Sequence, residues 1–370
     1  MGDGRAARTG GRILADQLRV HGVDLAFGVP GESYLALLDA LHDTPSIRYI
    51  VCRQEGGAAM MAEAYGKLTG RPGVAMVTRG PGATNASSGV HIAQQDSTPM
   101  IRLIGQVARG MRGRDAFQEI DYRQMYGSIC KWVAEIDDPA RIPELVGRAF
   151  YTATSGRPGP VALALPEDML TETAAVADAP PYRPVQPHPA PADMLRLRAM
   201  LAAARRPFMV IGGGGWDARA CDDIRAFAET FDLPVAVSFR RQDYFDNAHP
   251  NYAGHAGVAL GPPLSDRIAD ADPLLLVGTR LSEASSRGYT VVGVPRPGQT
   301  LVHVHPGAEE LGRVYAPGLA IHAGVRAFAA AARSLEPVDT GAWRDETRAA
   351  HEEYLKTLQP RREPGPVQLG

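Results

Sequence analysis

Two apolar rhythms take turns between residues 12 and 165. Helical spacing marks 13–20, 34–41 and 58–68, while short apolar runs mark 25–28, 73–77, 100–104 and 161–165. Strands that are apolar on both faces must be covered on both faces, so the alternation predicts a mostly parallel sheet with helices above and below. The rhythm stops at 174–191, where repeated Pro and Ala read as an extended linker. It resumes with strands near 208–211, 234–237, 273–277 and 300–304 and helices near 218–231 and 325–335, a unit of six strands or so. The expected fold class is therefore α/β, with two doubly wound domains of mostly parallel sheet over residues 1–173 and 192–340. Residues 341–370 read as a polar helix near 343–358 and then a further linker leading to something outside the chain.

The chain has 370 residues, enough for two cores, and its net charge of -2 leaves no basic stripe for nucleic acid. Lys67, Lys131 and Lys356 are the only lysines; the arginine-rich balance reads as coding bias, not phosphate recognition. Cys52, Cys130 and Cys221 are odd in number and widely spaced, which predicts neither a disulfide framework nor a zinc site. No apolar run is long enough to span a membrane, and the first residues lack the apolar core of a signal peptide. A cytoplasmic location without nucleic-acid or membrane partners is expected.

The most informative stretch for chemistry is RQEGGAAMMAEAYGKLTGRPGVAMVTRGPGATN, residues 53–85. It sets one acid, Glu55, after an apolar strand and at the start of a helix of small and apolar residues. Poor water access is expected there, and such an acid can hand over a proton near neutral pH. An acid in a first helical turn can equally be there for the helix dipole. The order E-G-G-A-A, A-Y-G-K-L-T-G-R-P-G-V, T-R-G-P-G-A-T-N resembles the pyrimidine-binding domain of thiamine diphosphate enzymes, specifically the acetolactate synthase group. In that resemblance Glu55 is the catalytic glutamate, which bonds the aminopyrimidine ring and drives ylid formation.

The same resemblance sorts the other motifs. Thr78, Pro81, Gly82 and Asn85 belong to a strand-to-helix loop that would pack beside the pyrimidine; read alone, it is a phosphate cradle at a helix start or a structural turn. Pro30 and Gly31 would sit over the reactive thiazolium, with Glu32 or Ser33 otherwise placed as simple helix caps. Gln106, Phe117, Gln118 and Lys131 would line the substrate channel, although composition alone makes 105–119 an exposed loop. In the second half, Gly212, Gly213, Gly214, Gly278, Thr279 and Arg280 stand where acetolactate synthases hold a non-redox FAD. Gly213, Gly215 and Ala218 formally fit G-x-G-x-x-A, a weak fingerprint that a tight crossover also satisfies. His305-Pro306 stands where flavin-binding relatives often have an acid, which places FAD in question. His303 and His305 share a strand face, but no third ligand completes a metal site, and His91 reads as structural.

The family's Mg2+ and diphosphate sit on a C-terminal domain with a Gly-Asp-Gly motif. Gly2-Asp3-Gly4 precedes the first helix instead of following a strand, so the match is rejected and the diphosphate-binding domain is expected in cis beyond the chain or on a partner chain. The implied function is decarboxylation of a 2-keto acid such as pyruvate and ligation of the acyl unit to a second carbonyl compound, in branched-chain amino acid biosynthesis, by a homodimer or homotetramer inactive without the diphosphate-binding domain. A thiamine diphosphate-dependent decarboxylase, acetyltransferase or oxidase would keep Glu55 and change the pocket. From another class, a non-catalytic binding or assembly module would keep only the half-site.

Overall fold

A computed structural model of the chain describes residues 6–359, so Gly2-Asp3-Gly4 and the segment 360–370 lie outside the described residues. The chain divides into two compact units, residues 1–185 and 186–370.

The first unit begins with β1 (Arg8–Thr9), α1 (Gly10–Val20), β2 (Leu25–Gly28), α2 (Leu35–His42) and β3 (Arg48–Val51). It continues through α3 (Glu55–Thr69), β4 (Gly73–Val77), α4 (Pro81–Asp96), β5 (Met100–Gln106) and α5 (Tyr122–Tyr126). It closes with β6 (Trp132–Glu135), α6 (Ile142–Thr154), β7 (Pro160–Pro166), α7 (Glu167–Thr171) and β8 (Thr173–Ala174). Six of these strands form a sheet in the order β3-β2-β4-β5-β7-β6, and every pairing in it is parallel. Successive strand residues face opposite sides: Val74, Met76, Ile101, Leu103, Val161 and Leu163 pack with α1, α2 and α6, and Ala75, Val77, Met100, Ile104, Ala162 and Ala164 pack with α3 and α4. Strand order reverses between β2 and β4, and the loops leaving those two strands meet there, the usual place for a ligand in such sheets.

The second unit contains α8 (Pro191–Ala202), β9 (Phe208–Ile211), α9 (Ala218–Thr230), β10 (Val235–Ser238), β11 (Tyr252–Ala256) and α10 (Pro262–Ala269). Then come β12 (Leu274–Val277), β13 (Leu301–His305), β14 (Leu319–His322), α11 (Val325–Arg333) and α12 (Arg344–Thr357). Its sheet runs β11-β10-β9-β12-β13-β14, again all parallel, with the reversal between β9 and β12. The segment 175–190 has no regular structure. Its early part is tied to the first unit, where Arg8 donates to the Val176 carbonyl and Tyr182 packs on His21 and Phe150. Further on, Pro187 accepts from the Gly324 N–H of the second unit.

Two buried polar groups stand out against these cores. Arg102, in the middle of β5, is fully buried between Met100 and Ile104 on the α3/α4 side, and its three guanidinium nitrogens have no hydrogen-bond partner. The neighbouring Tyr126 hydroxyl donates to the Ala83 carbonyl and turns its oxygen toward the guanidinium. Burial holds the Arg102 pKa below its usual range, opposed by Tyr126 and Tyr34. In the second unit His303 is 3% exposed, its Nε2 lies 3.1 Å from the Thr279 carbonyl, and burial pushes its pKa down from 6.5 to about 4.

Both groups generate predictions. Removing an unpaired buried charge while keeping apolar volume should help the fold, so Arg102→Met is expected to stabilise the chain by about 1–4 kcal/mol in urea unfolding; a lower midpoint would show that the guanidinium has a partner in solution. The depressed His303 pKa means that the unfolded chain takes up its proton before the folded chain does. The stability contributed by neutral His303 is complete above pH 6.5 and is lost as pH falls toward 4, about 3 kcal/mol in all. His303→Gln should flatten the unfolding free energy between those two pH values, and an unchanged slope would contradict this.

Candidate functional site

Glu55 is the first residue of α3, and Gln54 caps that helix by accepting from the Gly57 N–H at 2.8 Å. Asn85 lies in the first turns of α4. The two helices come together through small residues: a Cβ on Gly89 would stand 2.5 Å from the Cβ of Ala59 and 2.8 Å from the Met60 backbone nitrogen. Ala59 is one turn on from Glu55, and Gly89 is one turn on from Asn85, so closing the helices at that level brings the two polar side chains together above it. Asn85 Nδ2 donates to Glu55 Oε2 at 3.0 Å. The other carboxylate oxygen, Oε1, lies 3.6 Å from where a Cβ on Gly82 would be, and no protein group bonds it among the described residues.

The expectation of poor water access at Glu55 is corrected. Glu55 is half-buried in this chain, Gln54 and Gly57 beside it are exposed, and Met60 and Met61 are 43% and 48% exposed. The reason is that α3 turns its small residues inward, against the sheet and α4, and its bulkier ones outward.

The loops at the β2/β4 reversal complete the surroundings. Gly31 lies against Thr78, so that a Cβ there would come within 2.5 Å of the Thr78 Cβ. Ser33, expected as a helix cap, instead shares a 2.8 Å hydrogen bond with the Thr78 hydroxyl and accepts from the Arg79 N–H. Gly80 has a left-handed φ of 55° and no room for a side chain, because Gln118 packs directly over it. The Gly80 N–H donates to the Tyr122 hydroxyl at 3.0 Å. Pro30 and Pro81 are exposed beside these turns.

Of the four channel residues, Gln118 lies beside the Thr78–Asn85 loop, and Phe117 is 76% exposed next to it. Gln106 is buried and its amide is already used, donating to the Ile120 carbonyl and accepting from the Val107 N–H. It shapes the loop and offers no open donor. Lys131 precedes β6, with its N–H on the Pro160 carbonyl at the start of β7 and its Nζ on the Ser155 carbonyl. In a parallel sheet that is the end opposite to Glu55, so within this unit Lys131 is away from the site. Residues that sequence reasoning passed over do the holding: Tyr122 under Gly80, Ser33 under Thr78, and Arg109, which binds Asp168 and Glu172 and the Asp137 carbonyl to anchor the loop after β5. Only the Ser33 position carried a signal, and it read as a cap.

The second unit has its own reversal, where a dinucleotide would sit. The glycine turn after β9 packs on the turn after β12: a Cβ on Gly213, whose φ is 72°, would stand 2.0 Å from the Gly278 carbonyl oxygen. The turn's carbonyls point into its own side chains, Gly212 to Trp216 Nε1 at 2.8 Å and Gly213 to the Tyr244 hydroxyl at 3.0 Å. The start of α9 is capped by the carboxylate of Asp217, which accepts from the Ala220 N–H and pairs with Arg326. A diphosphate seated there would meet that anion, so the start of α9 does not suit the FAD that the resemblance places at Gly212, Gly213, Gly214, Gly278, Thr279 and Arg280 and that His305-Pro306 puts in question. His303 and His305 are buried with rings 5.9 Å apart, and the described residues contain no group of three side chains able to hold a metal. No described helix is long and apolar enough to cross a membrane.

An acid at the end of a parallel sheet, oriented by an amide and bordered by glycine turns with one carboxylate oxygen open, defines a cofactor-binding α/β domain. The acid suits a nitrogen heterocycle, and the glycine cradle suits close approach of a flat ring. Residues 8–125 match the thiamine pyrophosphate enzyme N-terminal TPP binding domain, and residues 195–332 match the thiamine pyrophosphate enzyme central domain. The chain belongs to the thiamine pyrophosphate enzyme family. It is similar to the acetolactate synthase large subunits of Corynebacterium glutamicum, 31% identical over 95% of this chain and 56% of that protein, and of Parasynechococcus marenigrum, 33% identical over 97% and 60%. For that of Lactococcus lactis the figures are 30%, 97% and 61%. The chain thus spans less than two thirds of the length of these relatives.

Asn85 gives the site its test. Asn85→Ala leaves an exposed helix position intact and frees the Glu55 carboxylate, so thermal unfolding should stay unchanged while affinity for thiamine diphosphate falls about tenfold by calorimetry. Unchanged affinity would show that the amide does not orient the acid.

Proposed function

We propose that this chain is the pyrimidine-binding and central part of an acetolactate synthase-like enzyme, which decarboxylates a 2-keto acid, pyruvate by preference, and joins the acyl unit to a second carbonyl compound. The observation that carries the reading is Glu55, held by Asn85 at the strand-order reversal with its Oε1 open. When bound, thiamine diphosphate supplies the nucleophilic carbon and the electron sink for decarboxylation. Glu55 would hold and move the proton at a pyrimidine nitrogen. Thr78, Pro81 and Gly82 would border the ring, and Pro30 and Gly31 would offer backbone to the reacting end. Gln118 and Phe117 would shape the acceptor side.

In this proposal Mg2+ and the diphosphate are held by a diphosphate-binding domain, in cis or on a partner chain, and the chain is inactive without it. The partly exposed Glu55 and the open Met60 and Met61 support a site completed by other protein surface. A homodimer or homotetramer in the cytoplasm, serving branched-chain amino acid synthesis, is the matching assembly. FAD is left out of this proposal, because the Asp217 carboxylate stands at the start of α9 where a diphosphate would sit.

The experiment is calorimetric titration with thiamine diphosphate and Mg2+, of the chain alone and with a supplied diphosphate-binding domain shown to be folded and associated, followed by a pyruvate-to-acetolactate assay. Turnover should appear in the complete mixture and fall about 10²–10⁴-fold with Glu55→Gln at unchanged fold. Turnover surviving that substitution would remove Glu55 from the mechanism, and no binding under either condition would favour a non-catalytic module.

A further inference from the structure

Arg79 follows Thr78 in the loop after β4, at the reversal between β2 and β4, and its side chain is only 12% exposed. The guanidinium is gripped from one side. Nη1 donates to Glu167 Oε2 at 2.8 Å, at the start of α7. The opposite edge is not used: Nε is buried and has no hydrogen-bond partner, and Nη2 faces Glu32 Oε1 at 3.8 Å, beyond hydrogen-bonding distance. In a guanidinium the Nε–H and one Nη2–H run parallel, the pair that takes a carboxylate with two bonds at once.

An unmade hydrogen bond on a buried charged donor is costly, so a structure that leaves this edge unpaired gains when an anion reaches it in place of Glu32. Glu32 does not fill it. It is 76% exposed on its side chain and well solvated, which makes it a weak counter-ion. Glu32 directly follows the Pro30–Gly31 turn, and Gly31 lies against Thr78, so the unpaired edge borders the turn assigned above to the reacting end of the cofactor.

We propose that the Nε/Nη2 edge of Arg79 binds the carboxylate of the 2-keto acid, which displaces Glu32 from its loose contact. The inference rests on the 2-keto acid reading above and adds the residue that recognises the acid. A purely structural clip between the loop and α7 needs Nη1 alone, and that bond is already made. Neutral carbonyl compounds gain nothing from the edge, so Arg79 selects for an anionic first substrate.

The test compares pyruvate with methyl pyruvate, which keeps the ketone and lacks the anion, by saturation-transfer NMR on the full chain without cofactor. Arg79→Gln should weaken pyruvate binding about tenfold and leave the ester unchanged. Arg79→Lys, which keeps the charge without the two-pronged edge, should fall between. Glu32→Gln alters an exposed side chain, leaves the fold intact, and should tighten pyruvate binding by removing a competing carboxylate. Equal binding of pyruvate by wild type and Arg79→Gln, equal loss of both ligands, or no pyruvate binding by the wild-type chain would each overturn the assignment. Thiamine diphosphate titration reads Glu55 and not Arg79, so failure of the carboxylate site and failure of the cofactor reading are told apart.

Discussion

The close approach of α3 and α4 is the constraint on which the candidate site depends. Two helices in contact through Ala59 and Gly89 leave no space for a larger side chain at either position. That distance sets how far apart Glu55 and Asn85 stand one turn earlier, and at 3.0 Å the amide fixes the direction of the carboxylate. Replacing small residues with larger ones along this seam would stabilise neither helix and would separate the two groups. The alanines and glycines of residues 56–66 and 82–93 therefore serve the chemistry through packing, while the bulk of Met60 and Met61 is turned away from it.

The two units use one topology for different ends. Each sheet reverses its strand order once, and in each the loops at the reversal carry glycines. In the first unit those loops are joined through side chains: Ser33 bonds Thr78, Tyr122 accepts from the Gly80 N–H, and Gln118 packs over Gly80. In the second unit the corresponding turns press backbone to backbone at Gly213 and Gly278, and the Asp217 carboxylate already takes the Ala220 N–H at the start of α9, a donor that a phosphate would need. The same residue type makes a cradle in one place and a closed seam in the other. What decides is the partner across the gap.

Much of the fold was legible because its signals are local. Apolar runs such as 73–77 and 273–277 have the same bounds, to within a residue, as the strands they form, and the helices near 218–231 and 325–335 differ from those observed only at their ends. The site was legible less evenly. Glu55 opens a helix as expected, since an acid after an apolar strand is a local pattern. Glu32 or Ser33 reads as a cap in the sequence, because spacing alone cannot tell a cap from the tie that Ser33 makes to a loop 45 residues away. Motif order puts Lys131 in the channel, but order along the chain does not say at which end of a parallel strand a residue stands. Gln106 has the right amide and the right strand end, yet its hydrogen bonds were already spoken for by its own loop.

The sequence by itself determined the class of the fold, its division into two α/β units and its family, because periodicity and short ordered motifs are properties of neighbouring residues. Only the tertiary structure decided which of the marked residues face one another: Glu55 with Asn85, Arg79 with Glu167 but loosely with Glu32, Gly213 with Gly278. Those meetings depend on helix spacing and loop direction, which arise from packing over long chain separations and leave no mark at a single position.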